Sequence, residues 1–514
     1  MSMAAKKAAR ARRAARGQHL TRQGSIDKIA TGIPGFDFVA GGGLPECRAT
    51  LVAGTAGSAK TIFVSHFLTA GIQRFNEAGV FVTFEDSPVD IRRNMCAFGW
   101  DIERWERDNK WAFVDVSPET NGPTPIVGAF DLGGLLSRIE HAVRRTKARR
   151  VTLDSLNALF VQFPDRALIR SELFRITTAL KQMGATVVFT AERTEDYGAI
   201  TQFGIEEFVA DNVVLLRNIL VDERRRRTIE ILKFRGASHE RGEVPFTVME
   251  HGLIVIPISA QQLTQESTTV RVTSGIPELD RMCNGGIFRD SIVLVSGATG
   301  TGKTLMSAQF LNGGVQKRER CLLFAFEESR DQLFRNAAAW GMDFEKAEQQ
   351  GRLVVQNQYP HAMPMEDHLV RMRNLIETVA PTRVAVDSLS ALERVFTLKS
   401  FREFVISLTS TLKKQQIAGL FTSTTPSLLG GGSITEKHIS TLTDSIILLR
   451  YVESKGQMRR SINILKMRGS PHDTQLREYT IDGHGMHIGE PFRDVSGILS
   501  GLVHSLVVED ERDE

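Results

Sequence analysis

Gly297-Ala298-Thr299-Gly300-Thr301-Gly302-Lys303-Thr304 is a complete G-x-x-x-x-G-K-[ST] phosphate-binding loop. The apolar run Ser291–Ser296 precedes it as a strand, and Leu305–Leu311 continues as a helix. In that order the backbone N–H groups of the loop wrap phosphates, the lysine reaches the β- and γ-oxygens, and the threonine hydroxyl faces Mg²⁺. Gly54-Thr55-Ala56-Gly57-Ser58-Ala59-Lys60-Thr61 is the same loop with alanine in place of the last glycine. That position is expected at the start of the following helix, where alanine is sterically allowed. Two such loops predict a duplicated nucleotide machine with ATP and Mg²⁺ as cofactors, and Thr61 and Thr304 as metal contacts.

The duplication extends well beyond the loops. Lys303 lies 243 residues after Lys60, and Gly275 of Ser274-Gly275-Ile276-Pro277 lies 243 after Gly32 of Thr31-Gly32-Ile33-Pro34. Asp387 and Lys466 follow Asp154 and Lys233 by 233. Apolar runs at Ala49–Ala53, Val80–Phe84, Val151–Leu153, Thr186–Phe189 and Val213–Leu216 alternate with longer amphipathic segments. That pattern predicts parallel strands buried on both faces, hence an α/β sheet in each half. The division expected is a basic tail (1–18), a first domain (19–257), a polar linker (258–270), a second domain (271–495) and an acidic tail (496–514).

Bulk properties agree with a globular chain of 514 residues: 42% hydrophobic, 24% charged, net charge +4. So small a net charge gives no overall basic field for nucleic acid. The charge is uneven, however. Residues 1–17 carry Lys6, Lys7, Arg10, Arg12, Arg13 and Arg16 with no acid, whereas Glu509–Glu514 holds five acids against Arg512. Both ends read as solvated tails. For the basic one, nucleic acid, anionic lipid or another subunit are the alternative partners. Cys47, Cys96, Cys283 and Cys321 are scattered, without metal-site or disulfide spacing, and read as buried thiols in a reducing cytoplasm. No apolar run approaches the ~20 residues of a membrane span.

Several side chains join the loops. Asp154 and Asp387 each end a β-branched, apolar strand, positioned to hold Mg²⁺ through water. Glu85-Asp86 and Glu327-Glu328 follow the strand after each loop, paired carboxylates able to polarise a water or hydroxyl. Lys233 and Arg235, like Lys466 and Arg468, alternate along one strand and so share a face. No anion in their own half is evident, and a neighbouring subunit's triphosphate is the expected target. Arg170 and Arg394 are candidate arginine fingers. One contrast separates the halves: Ser440, Thr441 and Thr435 stand opposite Glu207, Phe208 and Gln202. Hydroxyls in one copy alone predict phosphoryl transfer to protein there and hydrolysis in both.

With these motifs in view the chain resembles the KaiC family, the double-RecA-domain ATPases and autokinases of bacterial clock systems. The resemblance covers about residues 20–495 and rests on Gly297–Thr304, on Phe326-Glu327-Glu328-Ser329, on Asp387–Leu392 and on Ser433–Asp444. It implies two RecA-like domains stacked as a double-ring homohexamer. It implies slow ATP hydrolysis in the N-terminal ring with Glu85 activating water. It also implies autophosphorylation of Ser440 and Thr441, with Glu327 as general base and metal neighbour and Thr435 as an auxiliary hydroxyl. Arg170 and Arg394 match the family's interface arginines, and Lys233/Arg235 and Lys466/Arg468 its trans-acting cations. A KaiB-type partner on the N-terminal ring is carried over. KaiA dependence is not, because Val495–Glu514 departs from the family's tail; Ala59, Asp86 and the Met1–Gly17 arm are the other departures. The competing reading is a RecA-type motor stimulated by nucleic acid. Against it stand the near-balanced charge and the lack of a loop with interleaved basic and aromatic residues.

Overall fold

The computed structural model describes residues 26–116, 132–158, 166–201, 204, 209–221, 223–260, 266–425, 441–454, 457–492, 495–496 and 504–505. They form two compact units, Met1–Pro257 and Ile258–Glu514. Both sequence tails lie largely outside the described residues, as do Thr435 and Ser440. Val495–Ser496, at the expected boundary between the second domain and the tail, pairs antiparallel with His504–Ser505.

In the first unit the strands of the nine-stranded main sheet are β1 (Ala49–Gly54), β2 (Gly79–Thr83), β3 (Trp111–Asp115), β4 (Arg150–Asp154), β5 (Thr186–Glu192), β6 (Asn212–Val221), β7 (Arg224–Phe234), β8 (Val244–Met249) and β9 (Gly252–Val255). They lie in the order β3-β2-β4-β5-β1-β6-β7-β8-β9. The strands from β3 to β6 are parallel, as their unbroken apolar runs predict. Beyond β6 the sheet turns antiparallel through hairpins, an extension that the apolar runs do not reveal. The second unit repeats the plan. Its strands are β10 (Ile292–Gly297), β11 (Cys321–Ala325), β12 (Leu353–Asn357), β13 (Arg383–Asp387), β14 (Ala418–Thr424), β15 (Ser445–Ser454), β16 (Gln457–Met467), β17 (Arg477–Asp482) and β18 (Gly485–Pro491). Their order is β12-β11-β13-β14-β10-β15-β16-β17-β18. Each half is thus the RecA-like α/β fold expected.

Strand alternation explains why helices cover both faces. Leu51 and Ala53 of β1 join one apolar cluster and Val52 the other. One cluster is closed by α2 (Leu132–Thr146) and α3 (Arg166–Gln182), through Leu135, Ile139 and Val143 and through Ile169, Leu173 and Ile176. Those spacings make one apolar stripe per helix. The other cluster holds α1 (Lys60–Ala70), which is buried almost all round and carries Phe63, Val64, Phe67 and Leu68. Its counterpart is α4 (Lys303–Gln316). Placing an enclosed helix directly after the phosphate loop fixes the loop against the sheet. Among the described residues no helix is long and apolar enough to cross a membrane. The cysteine expectation holds for Cys283 and Cys321, whose thiols burial pushes up to about 12; Cys47 is only partly buried, and Cys96 is exposed at the end of the Pro88–Cys96 helix, away from the core.

One residue of α1 ties that helix to the outer hairpin. His66 Nδ1 accepts the Leu253 backbone N–H at 3.1 Å, and its ring lies 5.2 Å from that of Trp100. In the second half Gln309 Oε1 accepts the Met486 N–H at the same distance. The approach is close: a Cβ on Gly252, which sits at φ +103°, would come within 2.7 Å of His66 Nδ1. Burial, helped by Arg74, lowers the His66 pKa from 6.5 to about 4. The folded state therefore resists a proton that the unfolded chain accepts. The first half should lose stability as pH falls from about 6.5 toward about 4, by on the order of 3 kcal/mol in all. His66→Gln, which copies the second half, should remove this component while keeping the hydrogen bond. Unfolding curves followed by tryptophan fluorescence across that pH range test it; an unchanged slope in the variant contradicts the assignment.

Candidate functional site

The phosphate loop of each half connects the end of the central strand to the enclosed helix. Gly54 must be glycine, because a Cβ there would lie 2.3 Å from Ser58 Oγ and 2.5 Å from the Leu216 carbonyl oxygen. Ala59 corrects the sequence expectation. It sits at φ +73°, outside the helix, in the left-handed region that costs an L-residue roughly 1–2 kcal/mol. Gly302 has φ +89° at the same place, and a Cβ on it would approach Ile481 Cδ1 to 2.8 Å. In the first half Val248 replaces Ile481, one methylene smaller, where Ala59 must be accommodated.

Each loop lysine lies against backbone, Lys60 buried and Lys303 half-buried. Lys60 Nζ donates to the Gly54 and Thr55 carbonyls at 3.0 and 3.1 Å, with Glu192 Oε1 at 3.8 Å; Lys303 Nζ donates to the Ala298 carbonyl at 2.8 Å. Burial lowers both ammonium pKa values, opposed by the nearby carboxylates. Asp154 and Asp387, at the ends of β4 and β13, accept hydrogen bonds from Thr190 and Thr422 and from the loop hydroxyls Thr61 and Thr304. Burial raises both carboxyl pKa values against the pull of those bonds. The loop lysine, loop threonine and strand-end aspartate thus meet in each half. A cis peptide follows each aspartate.

These residues fit a magnesium nucleotide. Lysine ammonium groups perched on neutral carbonyls gain from an anion. Ser58 Oγ is buried without a partner. Among the described residues no group of three or more His, Cys, Asp or Glu forms a metal cage. Magnesium would then be held by phosphate oxygens together with Thr61 or Thr304, the usual partition for this ion.

The paired carboxylates differ between the halves. Glu85 is exposed as a residue, but its carboxylate turns inward and accepts from Ser155 Oγ at 2.9 Å. Desolvation of that group raises its pKa, assisted by Glu192, Asp154 and Asp86 and opposed by Ser155. In the second half Glu327 instead accepts from Arg394 of the same chain, and Glu328 is the inward acid. Burial and then Asp387 raise the Glu328 pKa; Asn336 Nδ2, donating at 3.0 Å, opposes them. Asp86 is exposed and accepts from Thr83 through its carbonyl. Arg170 is exposed on α3.

The cations on β7 and β16 also differ from expectation. Each strand ends one residue before the arginine, and a bulge opposite Val213/Val214 and Ile446/Ile447 disturbs the alternation. Lys233 Nζ donates to the Ala210 carbonyl at 2.8 Å and Lys466 Nζ to that of Thr443 at 2.7 Å. Arg235 and Arg468 lie 3.9 and 4.0 Å from Asp211 and Asp444, so an anion does exist within each half. Arg468 Nη2 also donates to the Thr441 carbonyl at 3.3 Å, next to the hydroxyl pair. Sequence reasoning passed over Arg227, whose Nε donates to the Gly57 carbonyl of the first loop at 3.4 Å. The run Arg224–Arg227 was its visible signal.

A family model for the KaiC ATPase matches residues 29–260 and again 272–492. The circadian clock protein KaiC3 of Synechocystis sp. is 63% identical over 478 residues, 93% of this chain and 94% of the relative. The circadian clock oscillator protein KaiC of Synechococcus elongatus is 50% identical over 487 residues, 95% and 94% of the two chains, and that of Parasynechococcus marenigrum 49% over 492, 96% of each.

Gly302→Ala should cost the second half about 1–2 kcal/mol through the left-handed backbone and the approach to Ile481. Adding Ile481→Val should return part of it, since it makes the room the first half provides. Denaturant unfolding monitored at Trp340 reads both; a Gly302→Ala protein as stable as the parent contradicts the steric argument.

Proposed function

The chain belongs to the KaiC family of ATPases, and on that premise we propose that it is a clock or timing ATPase that hydrolyses ATP and phosphorylates itself in its second half. The observation that carries this reading is the asymmetry of two otherwise matching sites. Both halves bring together a loop lysine, a loop threonine and a buried aspartate. Only the second carries the adjacent hydroxyls Ser440 and Thr441 ahead of β15. Ser440 lies outside the described residues; Thr441 is exposed. Phosphoryl transfer depends mainly on positioning an in-line hydroxyl against a metal-bridged triphosphate. Lys303, Thr304 and Asp387 would hold the phosphates and magnesium, and Glu328 or Glu327 would take the proton. The cis contact of Arg394 with Glu327 favours Glu328 as the acid ready to act.

In the first half Glu85, hydrogen-bonded to Ser155, activates water. The chain assembles as a homohexamer of two stacked rings in which Lys233, Arg235, Lys466, Arg468, Arg170 and Arg394 serve the subunit boundaries, Lys233, Arg235, Lys466, Arg468 and Arg394 by exchanging their same-chain contacts for a neighbour's nucleotide. A KaiB-like protein is the partner carried over from the family; nucleic acid is not a substrate, and the chain works in the cytoplasm. The 63% identity to a KaiC3, against about 50% to the oscillator proteins, supports a KaiC3-like member, and the departure of Val495–Glu514 from the family's tail argues against dependence on KaiA.

Replacing Ser440 and Thr441 together by alanine should remove most of the phosphate incorporated from γ-labelled ATP and leave hydrolysis at the first site largely intact. Peptide mapping that finds the label elsewhere, with the double variant labelled as fully as the parent, overturns the assignment.

A further inference from the structure

The first phosphate loop is fastened from outside by a carboxylate, that of Asp196. The segment after β5 places Asp196 beside the loop. Asp196 Oδ1 accepts from Thr55 Oγ1 at 2.8 Å and from the Asn218 backbone N–H at 3.0 Å. Its carbonyl accepts from Arg217 Nε at 3.1 Å. Arg217 is itself 7% exposed by side chain and anchored to Glu230 at 2.6 Å. The side chain and the backbone of Asp196 are therefore both held to β6, and the carboxylate carries that anchorage to the second residue of the loop. Thr55 is not a passive recipient. Its own carbonyl accepts from Lys60 Nζ at 3.1 Å and from the Ser58 N–H at 3.2 Å.

In sequence the second half has the residue type for neither end of this contact. Ala298 stands where Thr55 does. The segment after β14 is one residue longer than that after β5, so Asp196 falls opposite Leu428 or Leu429, and both are leucine.

We propose that Asp196 is a positioning residue for the first nucleotide site: it holds Thr55, and with it the carbonyl on which Lys60 rests, so that the loop is already ordered when the phosphates arrive. A loop held in its binding shape loses less freedom on binding, which appears as affinity. The device suits a loop whose last glycine is Ala59 and whose backbone is confined at φ +73°. The role belongs to the hydrogen bond, not to the charge, since a carboxylate near a triphosphate is otherwise unfavourable. The proposal rests on the reading of the first loop as a nucleotide site.

The test uses the full chain with Lys303→Ala, which leaves the first loop as the intact one, and measures Kd for Mg·ATP by equilibrium dialysis. Asp196→Ala and Thr55→Val should each weaken binding about fivefold, the factor expected from one hydrogen bond. Together they should be no weaker than either alone, because they remove the same contact. Asp196→Asn, which keeps an acceptor oxygen, should bind within about twofold of the parent or tighter. In a Lys60→Ala background Asp196→Ala should leave ATP binding unchanged. A purely structural Asp196 would give independent, multiplying effects with Thr55→Val; that result, unaltered binding in Asp196→Ala, or failure of Asp196→Asn to restore affinity overturns the proposal. A Lys303→Ala protein that binds no ATP in any version removes the nucleotide reading of the first loop, and this inference with it, which is a different result from binding that ignores Asp196.

Discussion

Each half is organised around a partly or fully buried lysine ammonium at the mouth of a parallel sheet, near a carboxyl group withdrawn from water at the end of an adjoining strand. Neither charge is comfortable there. Burial lowers the lysine pKa values and raises those of Asp154 and Asp387, and backbone carbonyls and threonine hydroxyls compensate only in part. A phosphate chain with a metal ion would satisfy both at once. The central strand, the left-handed turn and the enclosed helix hold that arrangement in place.

The duplication kept this frame and changed what surrounds it. One loop accepts alanine at a positive φ beside Val248, while the other keeps glycine beside Ile481. The inward acid is Glu85 in the first half and Glu328 in the second, where Arg394 draws Glu327 aside. His66 and Gln309 make equivalent bonds to the outer hairpin with different acid sensitivity. Differences of this size leave the topology intact, because each is absorbed by a neighbouring side chain within one or two contacts.

Most of the fold was legible in the sequence. Unbroken apolar runs marked the parallel strands, and the repeat of Lys60/Lys303 and Asp154/Asp387 placed the core of the site. The conformation at Ala59 was not legible, since the alanine itself carries no sign of φ; only its alignment with Gly302 hinted at it. The environment of Lys233 and Lys466 was hidden for another reason. A long side chain's partner is set by tertiary folding, here by carbonyls 23 residues away in sequence, and strand alternation fails at a bulge. Asp196 left no motif at all, because its partners Thr55, Arg217 and Asn218 come from two other elements.

The central claim is a division of labour between two nucleotide sites built on one plan. It is tested most directly by Lys303→Ala protein supplied with γ-labelled ATP, with released phosphate and protein-bound label counted in the same samples. The account predicts continued phosphate release, from the first site, with no label on the protein. Label incorporated into Lys303→Ala at the parent's level would contradict it.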